Sequence, residues 1–232
     1  MARGRAHIAF RRVENEVVSC FRCPRLVAWR EEVARHPPKR FAGEVYWARP
    51  VPAFGNIRSR LAIVGLAPAA NGGNRTGRIF TGDESGNFLF PAIHAAGLSS
   101  QPTSIRRGDG LEVFGAIVTA AVRCAPPDNR PTPEEFANCR EYLRRELDLL
   151  GKPRVIVALG ALAFESCLAA LAALGSPIPR PKPRFGHGVR YEIGGDAIYA
   201  SYHPSQQNTF TGKLTQAMLR GVLRRAAREA AS

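Results

Sequence analysis

Four short apolar segments limit the folds that are open to this chain. They are LAIVGLA (61–67), FGAIVTAAV (114–122), RVIVALG (154–160) and AIYASYH (197–203). Continuous apolar runs of this length are typical of strands that are buried on both faces. Helical patterns lie at 85–98, 132–151, 161–175 and 211–230. Because strands and helices alternate, we predict an α/β fold with a parallel sheet and helices on both of its faces.

The longest loops of this pattern all follow the carboxyl ends of strands. Residues 65–86 follow the first strand, 123–133 the second and 203–212 the fourth, whereas the third strand runs almost directly into its helix. In open α/β sheets, ligands bind beyond the carboxyl ends of the strands. We therefore expect a functional site where these three loops meet.

The net charge of the chain points to a partner. Lysine and arginine number 33 against 19 acidic residues, a formal net charge of +14. Such an excess favours a polyanion as partner, above all nucleic acid, although a GC-rich genome would also enrich arginine.

No apolar run reaches the roughly 20 residues of a membrane helix, and residues 1–12 lack the apolar core of a signal peptide. We expect an intracellular protein with a flexible basic terminus at 1–12.

The cysteines suggest a metal or cluster site. Cys20 and Cys23 form a C-x2-C pair, a spacing that lets two thiolates bind one metal or cluster. Cys124 and Cys139 follow the second predicted strand, and Cys167 lies on an apolar helical segment, where we expect a core residue. Five cysteines without an export signal argue against disulfides. Because only one pair of cysteines is closely spaced, the pattern favours a [4Fe–4S] cluster over zinc. An alternative is that all five cysteines are small buried hydrophobic residues.

The first loop is glycine-rich without being a known phosphate loop. It matches neither G-x-x-x-x-G-K-[ST] nor G-x-G-x-x-G. Phe80 is either a core residue or a platform on which a base stacks. Asp83 could cap the next helix or act in catalysis, and Arg75 and Arg78 could hold an anion.

The fourth loop adds a histidine and a polar run. His203 ends the fourth predicted strand, where it could reach a ligand, although a lone histidine is often structural. The run SQQNT at 205–209 carries hydroxyl and amide groups that could read groove edges or merely solvate the loop.

Five segments together resemble the uracil-DNA glycosylase superfamily, and most closely its thermophilic iron–sulfur branch, family 5. They are CPRLVAWREE (23–32), YWARPVPAFG (46–55), GLAPAANGGNRTGRIFTGDESG (65–86), TAAVRCAPPDNRPTPEE (119–135) and SYHPSQQNTFTGKLT (201–215). The resemblance implies one three-layer αβα domain over residues 1–232, with a central four-stranded parallel sheet. It also implies a [4Fe–4S] cluster, which by position would be held by Cys20, Cys23, Cys124 and Cys139.

The function that the resemblance implies is that of a monofunctional DNA glycosylase of base excision repair. Such an enzyme hydrolyses the N-glycosidic bond of uracil and leaves an abasic site. GLAPAA lacks the acid or amide that other branches carry there, and alanine stands near Ala120 or Ala121 in place of their uracil-reading asparagine. A broader range that includes hypoxanthine is therefore implied, with catalytic roles for Asp83, His203 and Asn129.

The resemblance also implies contacts with the substrate. The residues expected at the base are Gly65, Leu66, Ala67 and Phe80. The residues expected at the DNA are Arg75, Arg78, Ser205, Gln206, Gln207, Asn208 and Lys213. We expect a monomer that acts on duplex DNA in the cytoplasm, at the nucleoid. The alternatives are a non-enzymatic iron–sulfur module that binds DNA or senses redox state, and a phosphate-ester hydrolase, against which the missing P-loop lysine counts.

Overall fold

The four predicted strands form the centre of the sheet. A computed structural model describes residues 2–232 of the chain. The strands are β1 (Phe54–Gly55), β2 (Leu61–Gly65), β3 (Ala116–Ala120), β4 (Val155–Leu159), β5 (Arg190–Ile193) and β6 (Asp196–Ser201). Their order is β1-β3-β2-β4-β6-β5. Neighbours among β3, β2, β4 and β6 are parallel, and every residue of these four strands is buried. The predicted parallel core is therefore confirmed.

The sheet has six strands rather than the expected four. Strand β1 pairs antiparallel with β3, and β5 pairs antiparallel with β6. Both are edge strands, and most of their residues keep solvent exposure. The prediction missed them because a two-residue strand and the mixed segment RYEI (190–193) lack the continuous apolar character of the central strands.

Helices cover both faces of the sheet, as predicted. They are α1 (Ala2–Val18), α2 (Pro24–Arg35), α3 (Gly73–Thr76), α4 (Glu84–Ala95), α5 (Pro133–Leu149), α6 (Ala161–Ala173), α7 (Gln206–Phe210) and α8 (Gln216–Ala231). Helices α4 and α8 pack on the face that carries Ile63 and Val157. Helices α5 and α6 pack on the opposite face, with Val64 and Ile156. Alternate residues of a strand point to opposite faces, so one apolar run supplies both cores. None of the helices within residues 2–232 has the length and apolar character needed to cross a membrane.

Capping side chains fix where several helices begin. Thr132 and Glu135 form a capping box at α5, with Pro133 in its first turn, in agreement with the predicted start. The predicted helix at 211–230 begins only at Gln216, because Thr215 accepts a hydrogen bond from the amide of Met218 and caps α8. The expected loop at 205–209 is mostly helical, since α7 occupies 206–210.

The N-terminal segment is helical and packed. The segment expected to be a flexible terminus at 1–12 is helical from residue 2, because α1 begins at Ala2, and this helix buries Phe10, Val13 and Val17; Met1 lies outside the described residues. Val13 and Val17 pack against Tyr142 of α5. The sequence prediction missed α1 because its apolar residues Phe10, Val13 and Val17 are separated by basic and acidic residues. They lie on one face only at the spacing of a helix.

A buried ion pair joins the starts of β4 and β6. Arg154 and Asp196 are 2% and 3% exposed, and Arg154 Nη1 lies 2.5 Å from Asp196 Oδ2. Asp196 Oδ1 also accepts the backbone N–H of Arg154 at 2.7 Å. The same guanidinium reaches Asp148 at 3.5 Å, but that carboxylate is 54% exposed. Arg154 thus has one buried and one exposed acidic partner.

We predict that Asp196→Ala lowers the free energy of unfolding by about 3–5 kcal/mol, because it leaves the Arg154 charge buried without its partner. The matched control Asp148→Ala removes the exposed partner of the same arginine, and we expect it to cost less than about 1 kcal/mol. Urea denaturation of both variants measures the difference. Equal losses in the two variants would contradict this account of the pair.

Candidate active site and cysteine centre

The three predicted loops meet and form one cleft. It has a volume of about 820 Å³ and lies at the carboxyl ends of β2, β3 and β6. Of the residues that the sequence singled out, the cleft is lined by Leu66, Ala67, Phe80, Asp83, Asn129, His203, Ser205, Gln206 and Gln207. Strand β4 contributes no long loop because it ends at Leu159 and α6 begins at Ala161.

Phe80 forms part of the cleft wall in a strained backbone conformation. Its φ is +52°, which is unfavourable for a bulky residue and is found mostly where the surrounding structure enforces it. The residue is 4% exposed, and its ring centroid lies 6.0 Å from that of His203. Gly65 lies directly behind the ring: a Cβ at Gly65 would stand 2.5 Å from Phe80 Cζ. Gly65 therefore supports the platform and does not itself line the cleft.

Asp83 caps a helix and faces the cleft at the same time. Its Oδ1 accepts the N–H of Gly86 at 2.8 Å, so it is the N-cap of α4. Its Oδ2 lies against Gly72, where a Cβ would come within 2.0 Å of that oxygen. Burial raises the pKa of the Asp83 carboxyl to about 6, with a smaller contribution from Glu84 and against the hydrogen bond from Gly86. The two interpretations of Asp83 are compatible, because each uses a different oxygen.

His203 stands across from Phe80 as a neutral imidazole. Burial lowers the pKa of His203 to about 4, so the ring carries no charge near pH 7. Its backbone oxygen accepts a hydrogen bond from the Asn208 side chain at 2.9 Å, which fixes the turn into α7. A neutral ring can donate one N–H to an oxygen in the cleft.

Asn129 reaches the cleft from the loop after β3. It follows Asp128, and both have positive φ, +56° and +52°. Asparagine and aspartate tolerate this conformation better than most residues. Asp128 also lines the cleft, although the sequence analysis did not single it out.

The expected DNA-binding residues divide into two groups. Ser205, Gln206 and Gln207 line the cleft at the start of α7. Lys213 is exposed beyond them, with Nζ 4.9 Å from the centroid of the Tyr202 ring. Asn208 does not line the cleft, because its amide holds the His203 backbone. The hydroxyl group of Ser205 and the amide groups of Gln206 and Gln207 form a polar edge of the cleft.

The two arginines of the first loop, Arg75 and Arg78, bond to other groups of the protein. Arg78 is 8% exposed and pairs with Asp109 at 2.6 Å, so the expectation that it binds DNA phosphates is wrong. Although burial opposes it, this contact helps hold the pKa of Asp109 well below its usual range. Arg75 donates to Gly82 O at 3.0 Å and pairs with Glu44 at 2.6 Å. These two contacts hold the Arg75 guanidinium against the loop, and its contact with DNA stays a prediction.

Further residues line the cleft that sequence reasoning missed. They are Arg40, Phe41, Ala69, Ala70, Asn71, Gly72, Gly82, Glu84, Ser85, Asn87 and Asp128. Arg40 and Phe41 come from a 3-10 turn at 39–41, distant in sequence from the three loops, so no local pattern connected them with the site. Asn71 carried a signal, as the first polar residue after GLAPAA, and its side chain accepts a hydrogen bond from the Tyr46 hydroxyl at 2.8 Å.

Four of the five cysteines converge on a second, smaller cavity. Cys20, Cys23, Cys124 and Cys139 all line it. Cys167 is fully buried elsewhere, in the core beneath α6, as expected. Within residues 2–232 no three potential ligands are arranged around a single metal ion. The four cysteines expected to act together therefore line one cavity.

Burial raises the pKa of the Cys124 thiol to about 11, whereas nearby N–H donors favour its anionic form. Arg30 is 1% exposed and donates from Nη1 to Cys124 Sγ at 3.2 Å, and Asn138 donates to Cys23 Sγ at 3.4 Å. The Nε atoms of Arg30 and Arg123 are buried without a hydrogen-bond partner in the described residues, and both arginines line the cavity. Arg123 is paired with Glu146 at 2.6 Å, whereas Arg30 forms no ion pair with any described acidic residue. A buried, unpaired guanidinium is costly, so this donor set fits a negatively charged metal–sulfur group.

The cysteine centre and the cleft are linked by short contacts. Ala67 lines the cleft and also packs against the apolar cluster that contains Cys124 and Cys139. The buried side chain of Asn74, on α3, donates to the backbone oxygen of Arg30 at 3.1 Å. The loop that carries Phe80 and Asp83 therefore rests on the cysteine-bearing segment.

Comparison with known proteins gives the class to which this fold and cleft belong. The family described as the uracil DNA glycosylase superfamily matches residues 52–227. This chain therefore belongs to the uracil-DNA glycosylase superfamily.

The relatives place the chain more closely, in the type-5 branch of that superfamily. The type-5 uracil-DNA glycosylase of Thermus thermophilus is 53% identical over 213 residues, 91% of this chain and 94% of that protein. Those of Mycobacterium bovis and Pyrobaculum aerophilum are 52% and 50% identical and cover 91% and 93% of this chain, and 79% and 91% of their own lengths. The family that the motifs suggested is confirmed.

We predict that Gly72→Ala lowers the pKa of Asp83 from about 6 towards the ordinary range of an aspartate, because the new methyl group displaces the carboxylate from its buried position. A carbon-13 NMR titration of labelled aspartate side chains measures this pKa. The control is Gly221→Ala on α8, where an added Cβ meets nothing within 4 Å and the Asp83 pKa should not change. An Asp83 pKa that stays near 6 in Gly72→Ala would show that Gly72 does not hold the carboxylate.

Proposed function

We propose that this protein is a monofunctional DNA glycosylase that releases uracil, and other deaminated bases such as hypoxanthine, from DNA. The observation that carries the proposal is the cleft in which Phe80, Asp83 and His203 converge at the carboxyl edge of the sheet. A stacking surface, a carboxylate and a neutral hydrogen-bond donor can bind the base, assist the attacking water and stabilise the leaving group in hydrolysis of an N-glycosidic bond. Membership of the superfamily supports the same reaction.

The base enters the cleft after leaving the helical stack. A base inside a duplex is inaccessible, so the nucleotide must rotate out into a pocket. The cleft of about 820 Å³ is large enough for a purine or a pyrimidine, and the Phe80 ring offers it a flat apolar surface. Stacking on an aromatic ring is sequence-tolerant, which agrees with a range wider than uracil.

Asp83 assists the attack of water on the sugar. As the bond from the base nitrogen to C1′ breaks, its electron pair stays on the base and positive charge develops on the sugar. Water then bonds to C1′ and loses a proton, which Asp83 Oδ2 accepts. With a pKa of about 6, the carboxyl is mostly ionised at neutral pH, so it can take this proton and also stabilise the cationic sugar.

His203 stabilises the departing base. Uracil leaves as an anion, with charge on its carbonyl oxygen O2. A neutral imidazole whose pKa is lowered to about 4 donates a hydrogen bond to that oxygen without losing its own proton. Asn129 stands on the opposite loop, where its amide can hold the base or the water.

The DNA backbone lies along the polar edge of the cleft. Ser205, Gln206 and Gln207 approach the strand from the start of α7, with Lys213 beyond them, and the net charge of +14 attracts the polyanion. Among the described residues that line the cleft there is no lysine, so water rather than an amine is the nucleophile and the strand is left intact. The enzyme acts as a monomer on duplex chromosomal DNA.

The test is a labelled duplex with one uracil, incubated with the protein and then treated with alkali, which cleaves the strand at abasic sites. We expect cleavage only after alkali.

Asp83→Asn should slow base release by about 10²-fold or more, since it removes the proton acceptor. The rate of the wild-type protein should fall as the pH drops below about 6, where the Asp83 carboxyl becomes protonated.

One result would refute this function, and another would refute only the role of Asp83. One is a strand that stays intact after alkali for every lesion tried; salt-dependent DNA binding without base release would then indicate a non-enzymatic DNA-binding module. The other concerns Asp83 alone: a folded Asp83→Asn protein with the wild-type rate would leave that residue only its capping role.

We propose further that Cys20, Cys23, Cys124 and Cys139 hold a [4Fe–4S] cluster. When bound, such a cluster would cross-link the segments that carry its ligands, here the α1–α2 turn, the loop after β3 and helix α5. The N–H groups of Arg30 and Asn138 point at the cysteine sulfurs, and hydrogen bonds of this kind orient ligands and tune a metal centre. Arg30 supplies the positive charge that a dianionic cluster needs.

We predict that Arg30→Met loses iron and sulfide about tenfold faster than the wild type on exposure to a chelator, because it removes both the N–H···S hydrogen bond and the compensating charge. The decay of the visible absorbance and the released iron measure the loss. Arg35→Met, an exposed position on the same helix, is the control and should match the wild type. Protein that contains zinc instead of iron and sulfide would overturn the assignment.

A further inference from the structure

The side chain of Asn71 is held in one orientation by a buried tyrosine. Tyr46 is 8% exposed, and its hydroxyl donates to Asn71 Oδ1 at 2.8 Å. Burial raises the pKa of the Tyr46 hydroxyl, so it keeps its proton and remains a donor. With the hydroxyl proton directed at Oδ1, Nδ2 is the free end of the amide.

The segments around both residues are fixed as well. Arg75 Nε donates to the backbone oxygen of Asn71 at 2.9 Å. After Tyr46, the backbone amides of Trp47 and Ala48 donate to Arg75 O and Asn74 O at 2.9 and 3.0 Å. The tyrosine and the asparagine therefore belong to two segments that are joined by backbone hydrogen bonds. The Asn71 amide is thus held in place before a substrate binds.

The free end of this amide belongs to the cleft. Asn71 lines the cleft together with Phe80 and His203, and among the described residues no acceptor is bonded to its Nδ2. The next residue, Gly72, touches the Oδ2 atom of Asp83. The donor thus reaches the cleft from the same segment as the apolar Ala69 and Ala70, which also line it.

We propose that Asn71 is a specificity-determining residue, which selects deaminated bases by donating a hydrogen bond from Nδ2 to the carbonyl oxygen that deamination creates. This inference rests on the proposed glycosylase function and names the feature of the substrate that the same cleft reads.

The selection follows from the chemistry of deamination. Cytosine carries an amino group at C4 where uracil carries O4, and adenine carries one at C6 where hypoxanthine carries O6. Deamination therefore replaces a donor by an acceptor at the same position in both bases. A fixed N–H donor pairs with the carbonyl but opposes the amino group, and an unpaired buried donor is penalised. One side chain can in this way accept uracil and hypoxanthine and reject their parent bases.

Tyr46 makes the selection one-sided. A free amide could rotate and present its oxygen to an amino group, which would abolish the preference. Because the tyrosine hydroxyl occupies the oxygen, only the donor side is available. Removal of that hydroxyl should therefore relax the selectivity without removing any group that faces the base.

The experiment measures binding with bases that cannot be released. Duplexes carry 2′-fluoro-2′-deoxyuridine or 2′-fluoro-2′-deoxycytidine at one position, each opposite an abasic analogue, so that base pairing does not differ between the two. The ratio of the two dissociation constants reports how the protein reads the base edge. We expect the wild type to prefer the uracil duplex by about tenfold or more.

The variants separate selection from folding. Asn71→Ala should bring the ratio close to one, and Asn71→Asp, which presents only acceptors at neutral pH, should reverse it in favour of cytosine. Tyr46→Phe, which deletes one buried oxygen, should reduce the ratio while uracil release continues. The matched control is Tyr191→Phe, whose hydroxyl bonds to Arg184 O on the surface and whose loss should leave the ratio unchanged.

The inference and the function fail in different ways. Folded Asn71→Ala and Tyr46→Phe proteins that keep the wild-type ratio would overturn the role of Asn71, even if uracil is released normally. A wild-type protein that releases no base from any substrate would instead refute the proposed function, whatever the binding ratio.

Discussion

The burial of four parallel strands on both faces is the constraint on which this molecule depends. Strands β3, β2, β4 and β6 contain no exposed residue, so both sides of the sheet must be covered by helices. Parallel strands also require a crossover between each pair, which brings every strand's carboxyl end to the same edge. The loops after β2, β3 and β6 therefore meet, and the cleft is a consequence of the topology rather than an addition to it.

The first of these loops shows how one segment serves both stability and chemistry. Phe80 keeps a strained backbone because Gly65 leaves space for its ring and Gly86 leaves space for its carbonyl oxygen, which a Cβ at Gly86 would approach to 2.1 Å. Asp83 uses one oxygen to cap α4 and has the other free for the cleft. Glycine at these positions allows backbone and functional side chains to approach closely.

The cysteine-bearing segment supports this loop from the outside. Arg30 contacts Cys124 through its guanidinium and Asn74 of α3 through its backbone oxygen. A metal–sulfur centre at the four thiols would therefore stabilise the segment beneath the loop that carries Phe80 and Asp83. It need not take part in the chemistry, because the cleft already contains a carboxylate, a neutral imidazole and an aromatic ring.

The sequence by itself determined the parallel core, the helix start at Thr132, the loops that form the site, and the superfamily. These features depend on local patterns: continuous apolar runs, capping residues and motifs in one loop. Only the tertiary structure decided which polar groups face inward. Arg78 pairs with Asp109, which is 31 residues away, and not with DNA as expected. Tyr46 bonds to Asn71 across 25 residues, and Arg30 bonds to Cys124 across 94 residues. Such pairings depend on which segments the fold brings together, and the identity and spacing of neighbouring residues do not encode that.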